Sequence, residues 1–194
     1  MVMIERYGVP STKIIGLIKS WQIPFRNVQK GDRFLLLTDD AMDPMVWESA
    51  MAALNEREAE AVLCLFPRRG YHCADPAPLA VEAAKGADVV IALTTTALNS
   101  GTPGLRAIRA EGGGTGNTPI WLMEELTVDI LTDGGGRISL EDLREICDVQ
   151  RRIGEIYDRG KKVRVLSDKG SDLVADISGM PPGHLAERWG KLPF

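Results

Sequence analysis

Four short apolar runs, Phe34–Leu37, Ala61–Phe66, Val89–Leu93 and Thr118–Met123, recur along the chain with helix-forming segments between them. They lack the strict in–out alternation of a half-solvated strand, so they predict strands covered on both faces. Strands of this kind alternating with helices predict an α/β architecture: a doubly wound, mostly parallel sheet with right-handed crossovers. The expected strand order is 2-1-3-4, which puts the switch point between the first and third strands.

The helices announce themselves by their ends. Ser11 is a candidate N-cap for a helix over Thr12–Trp21, whose Ile14, Ile15, Ile18 and Trp21 share a face; Ile23-Pro24 ends it. Asp43-Pro44 reads as N-cap plus proline in the first turn, opening a helix to about Arg57. Pro76 and Pro78 open a helix over Leu79–Lys85, and Gly86 stops it. Further helices are predicted over Gly104–Ala110 and Glu124–Leu131. Ser139, with Asp142 three positions on, caps the best-defined helix, Leu140–Asp158, and Gly160 ends it.

Beyond Gly160 the period changes to two. Lys162–Ser167 and Asp172–Ile177 flank Asp168-Lys169-Gly170-Ser171, a hairpin signal. The expected organisation is an N-terminal helical arm (1–30), a Rossmann-like α/β domain (31–160), and a hairpin and tail (161–194). A lone hairpin is marginal in water, so the last segment reads as the start of an incomplete second domain.

Charge and composition exclude several classes. With 23 Lys and Arg against 27 Asp and Glu, the chain has no basic surplus with which to hold a phosphate backbone. No apolar run reaches the length of a membrane span, and the first residues carry no secretory pattern. The three cysteines, Cys64, Cys73 and Cys147, form neither a disulfide framework nor a zinc ribbon. A reducing cytoplasm is the expected location.

In an open α/β sheet, ligands bind outside the carboxyl ends of the strands, at the switch point. That rule singles out the stretch after Leu93, where three threonines lead into Asn99-Ser100-Gly101-Thr102-Pro103. The substrate-cleft candidates are Asp39, Thr95, Leu98, Asn99, Ser100 and Thr102. Caps and turns for the next helix are the competing reading of the loop's hydroxyls and amides. Asp40 lies beside Asp39, and Asp43 has its N-cap role. Gly112–Gly116 follows a helix and precedes a strand, the reverse of a phosphate loop, and reads as a connector. His72 and His184 are the only histidines, and neither has a spaced ligand partner. His72-Cys73 therefore reads as an exposed loop pair, and no metal ligand is expected in this chain. Asp172 is primarily a hairpin-turn residue.

Three segments together resemble one enzyme family. They are KGDRFLLLTDDAMDPMVWESAMAAL, AAKGADVVIALTTTALNSGTPG and KKVRVLSDKGSDLVADISGMPPG. Their order and spacing are similar to the amino-terminal half of the 2,5-dihydroxypyridine 5,6-dioxygenases, relatives of aminopeptidase T-type metallopeptidases. The resemblance implies an iron(II) enzyme that opens a hydroxylated pyridine or similar aromatic ring with dioxygen. It also implies that two histidines and an aspartate of a carboxy-terminal half hold the metal, so no residue here inherits a ligand role. In those dioxygenases the loop after the third strand carries a histidine; here Asn99 and Ser100 stand at about that place. An amide does not shuttle protons as imidazole does.

Two readings follow. In one, the chain is the amino-terminal domain of such an enzyme, a dioxygenase or an aminopeptidase T-like hydrolase, inert alone and acting on a small-molecule substrate. In the other, it is a non-catalytic binding or assembly module. Both expect a homo-oligomer, because the arm helix and the hairpin present surfaces that need a partner.

Overall fold

The apolar runs do form strands. A computed structural model describes residues 11–99, 101–111, 118–134 and 139–180. Within them the order is α1 (Ser11–Ser20), β1 (Arg33–Asp39), α2 (Pro44–Asn55), β2 (Glu60–Phe66), α3 (Pro78–Ala84), β3 (Val89–Leu93) and α4 (Pro103–Glu111). There follow β4 (Ile120–Leu122), α5 (Val128–Thr132), α6 (Leu140–Arg159), β5 (Lys162–Leu166) and β6 (Asp172–Asp176). Contacts divide the chain into two units, 1–137 and 138–194.

The first unit is an α/β layer structure whose four-stranded sheet has the order β2-β1-β3-β4, every pair parallel. Leu36 of β1 lies between Leu63 and Ile91, and Ile91 faces Trp121 across the next gap. Strand alternation sends Leu35, Leu37, Val90 and Ala92 to one face. There they pack with Ala80, Val81 and Ala84 of α3 and with Leu105 and Ile108 of α4. Phe34 points to the opposite face and meets Phe25 edge-on, with ring centroids 6.1 Å apart.

The predicted arm packs on that opposite face. Leu17, Trp21 and Phe25 are fully buried. Trp21 stacks on Phe25 at 5.3 Å, Phe25 stacks on Trp121 at 6.1 Å, and the Trp21 indole N–H donates to Ser49 of α2 at 2.8 Å. Burying side chains of this size contributes about 1.5–3 kcal/mol each, so tertiary packing, not intrinsic propensity, holds this ten-residue helix.

Ser11, expected as an N-cap, is instead the first residue of α1, whereas the cap at Asp43 follows the sequence. Asp43 accepts from the Met45 amide at 2.9 Å with proline in the first turn. The helix predicted over Glu124–Leu131 is a correction: residues 124–127 form a loop, and α5 starts only at Val128. Glu125 sits in the left-handed region at φ 56°, its N–H donates to the Thr94 carbonyl at 2.8 Å, and the Thr127 hydroxyl caps the Ile130 amide at 3.1 Å. β4 is shorter than predicted because only Val90–Ala92 of β3 pair with it. Gly112–Gly116 and Ser100 lie outside the described residues.

In the second unit, Ser139 and Asp142 form a full capping box at the start of α6. β5 and β6 pair antiparallel, Val163 opposite Ala175 and Val165 opposite Leu173. Their turn needs Gly170, whose φ is +93°. Arg164 grips Asp172 through two bonds of 2.8 and 2.7 Å, so that carboxylate serves the hairpin. Among the described residues no helix is long and apolar enough to cross a membrane.

Candidate functional site

The carboxyl end of β1 works as a hub, because its run of acidic residues anchors three different segments. Asp39 is buried, with 1% of its surface exposed. Its carboxylate accepts the Thr95 amide at 2.6 Å, the Thr95 hydroxyl at 2.9 and 3.0 Å, and the Ala41 amide at 3.1 Å. A buried carboxylate with no cation beside it among the described residues is stable only when donors surround it, and here Thr95 is the chief donor. Asp40 accepts the Arg68 amide at 2.9 Å and so holds the loop after β2. Asp43 caps its own helix. The threonine at the end of β1 adds a further tie: the Thr38 hydroxyl donates to the Leu93 carbonyl at 2.8 Å.

The loop after β3 is held at successive residues by its neighbours. The Ala97 amide donates to His72 Nδ1 at 3.1 Å, and the Ala97 carbonyl accepts the Cys73 amide at 2.7 Å. Leu98 pairs with Ala74 in an isolated parallel bridge, and its amide donates to the Glu124 carboxylate at 2.7 Å. Asn99 and Thr102 are placed differently. The Asn99 side chain accepts the Gly101 amide at 2.8 Å, and its carbonyl accepts the Thr102 hydroxyl at 2.9 Å. Those are the bonds of a turn leading into α4.

Of the candidates named from sequence, the structure thus brings Asp39 and Thr95 into direct contact. It sets Leu98 between the loops after β2 and β4, and leaves Asn99 and Thr102 in the helix-starting turn. Sequence reasoning missed His72 as a site member, together with Glu124 and Glu125. No local signal marks them, because they reach the β3 loop from two other connections, those after β2 and β4.

His72 and Glu125 face each other at the surface of the site. Their side chains are 56% and 64% exposed, with Nε2 and the carboxylate 3.8 Å apart. Because Nδ1 accepts from Ala97, a neutral ring carries its proton on Nε2 and presents it toward Glu125. The 3.8 Å separation is too long for a hydrogen bond and leaves room for one bridging oxygen. Both flanking backbones are strained: Cys73 has φ 65° and Glu125 φ 56°. Left-handed non-glycine residues of this kind cluster where a structure fixes side chains for function.

With this geometry in hand, comparison with known proteins gives one structural match. The 2,5-dihydroxypyridine dioxygenase from Pseudomonas putida KT2440 superposes with a TM-score of 0.62 at 18% identity, over 84% of this chain and 47% of that one. The fold is shared with a dioxygenase. This chain therefore spans about half the length of the dioxygenase it matches. Compared with known protein families the chain matches none, and a search of curated proteins also finds no match.

The dioxygenase likeness raises the question of a metal. A non-haem iron site needs two histidines and a carboxylate on one face, with open positions. Among the described residues, no three His, Cys, Asp or Glu side chains converge in a way that could hold an ion. His72 has its Nδ1 engaged, Glu124 is engaged by Leu98, and Asp39 is enclosed by Thr95. The described residues do not fit such a centre, and no chemical step here runs through one.

Proposed function

We propose that this chain forms the substrate-facing wall of a dioxygenase-like enzyme acting on a hydroxylated aromatic ring. In this reading the metal, iron(II) by the family resemblance, is held by polypeptide other than the described residues. The observation that supports it most is the His72–Glu125 gap, set among three carboxyl-end loops in a fold shared with a dioxygenase. A ring hydroxyl placed in that gap accepts from Nε2–H and donates to the carboxylate. The pair thereby orients the ring and offers its proton a base. The family resemblance expects a histidine in the loop after the third strand; His72, bonded to that loop at Ala97, brings imidazole to it from the loop after β2.

The test is titration of the 194-residue protein with 2,5-dihydroxypyridine, followed by amide NMR. Saturable shifts at Thr95, Ala97, Leu98 and Glu125, lost in His72→Gln and Glu125→Gln, support the reading. The purified chain supplied with iron(II) should take up no oxygen. Turnover by this chain alone, or ring binding indifferent to both substitutions, overturns it.

A homo-oligomer belongs to the same proposal. In the second unit Ile153, Ile156 and Tyr157 of α6, and Val165, Leu166, Leu173 and Val174 of the hairpin, are all exposed. Exposed apolar side chains in this number support an interaction surface. Sedimentation should show an assembly larger than one chain; a monodisperse monomer would contradict it.

A further inference from the structure

Apart from the His72–Glu125 gap, a cavity of about 750 Å³ opens between the loop after β2 and the start of α4. It lies at the carboxyl end of the sheet, where α/β folds place ligands, and its volume is ample for a small molecule. We propose that it binds a small planar carboxylate, with Arg68 and Arg69 taking the charge. This inference rests on the cavity itself and stands whether or not the dioxygenase reading does.

Four ionic side chains line the cavity: Arg68, Arg69, Asp75 and Glu82. Glu82 is already neutralised by Lys85 at 2.9 Å. Asp75 turns its carboxylate to the Gly104 amide, both oxygens at 3.0 Å, and so caps α4 from another segment. The Arg68 side chain has no hydrogen-bond or ion-pair partner among the described residues. Both carboxylates are thus engaged, and the two guanidinium groups are the lining charges left without an ionic partner among the described residues; arginine keeps its charge at any ordinary pH.

Arg69 is pre-organised. It is half-buried; its Nε donates to the Asp75 carbonyl at 3.1 Å, and its guanidinium lies 5.9 Å from the centre of the Phe66 ring. Those two contacts fix the plane of the guanidinium and leave its terminal nitrogens without partners among the described residues. A fixed, planar fork is the geometry that takes a carboxylate through two bonds.

The remaining wall is largely apolar. Pro76, Pro78 and Pro103 give flat apolar surfaces, and Tyr71, 67% exposed, adds a ring. A compact anion such as phosphate uses none of that surface. A flat apolar body bearing one carboxylate uses both the surface and the arginines.

Calorimetric titration with benzoate, benzamide and inorganic phosphate tests this on the 194-residue protein. Benzoate should bind saturably. Benzamide, the same shape without the charge, should bind weaker by about tenfold or more, and Arg68→Gln and Arg69→Gln should each weaken benzoate by about tenfold. Because the Arg68 side chain supports nothing else, Arg68→Gln should leave Tm unchanged, so its effect reads binding alone. The proposal is overturned if benzoate does not saturate, if benzamide binds equally well, or if Arg68→Gln binds benzoate as the parent does. Phosphate binding as tightly as benzoate would also overturn it, by showing that the flat wall contributes nothing.

Discussion

Thr95 donates both its backbone N–H and its hydroxyl to the buried carboxylate of Asp39, joining the ends of β1 and β3 across the switch point. Both oxygens of that carboxylate accept from N–H or O–H donors. Asp39→Asn turns one acceptor into an NH2 group that confronts the donors. It should cost about 2 kcal/mol, while Thr95→Val, which removes the hydroxyl alone, should cost about 1 kcal/mol. Urea denaturation of both variants measures this; an Asp39→Asn protein as stable as the parent would contradict it.

Gly104 has no room for a side chain. A Cβ there would sit 2.5 Å from Asp75 Oδ1 and 2.9 Å from Val81 Cγ2. Gly104→Ala must push Asp75 off the start of α4, and overpacking of this kind costs about 1–3 kcal/mol. A thermal melt should show a lowered Tm. Asp75→Ala in the same background should relieve the clash, so the two changes should be less than additive.

The pH dependence has a definite sign at Arg33–Asp88. Chiefly the Arg33 side-chain hydrogen bond, against a smaller opposing effect of burial, holds the Asp88 carboxyl below its usual range. A carboxyl lowered on folding contributes stability above its unfolded pKa and loses it as pH falls through its folded one. The parent should therefore exceed Asp88→Asn at neutral pH, and the difference should vanish in acid well below about pH 4. Both side chains are partly solvated, 47% and 40% exposed, and solvent screening keeps the contribution small. A difference that grows on acidification would be the wrong sign.

The capping box at Ser139 gives a prediction confined to the second unit. The Ser139 hydroxyl accepts the Asp142 amide at 3.0 Å, and the Ser139 amide donates back to the Asp142 carboxylate at 2.8 Å. Ser139→Ala should destabilise α6 by about 1 kcal/mol. Hydrogen exchange should quicken in the first turn of α6 and stay unchanged in β1 and β3.

The sheet was legible because burial on both faces leaves a mark in the local sequence: Leu35, Leu36 and Leu37 run without a polar break. Caps at Asp43 and Ser139 were legible for the same reason, since acceptor and donor lie within a few residues. The site was legible only as a place. Thr95 could be named from the strand-end rule, but its acceptor lies 56 positions away, and Ala97 and Leu98 donate to groups 25 and 26 positions away. Nothing local records which distant acceptor a backbone N–H will meet. The early start expected for the helix over Glu124–Leu131 has the same cause: the left-handed turn at Glu125, with its bond to the distant Thr94 carbonyl, delays α5 to Val128.

The stacked rings of Trp21, Phe25 and Trp121 carry a practical lesson for anyone dissecting this chain. A fragment trimmed to start at Gly31 would keep all four strands, yet strip the cover from Phe34 and Trp121 and leave a greasy scar on the sheet. Such a piece should precipitate on expression, so minimal versions for crystals or spectroscopy should begin no later than Ser11.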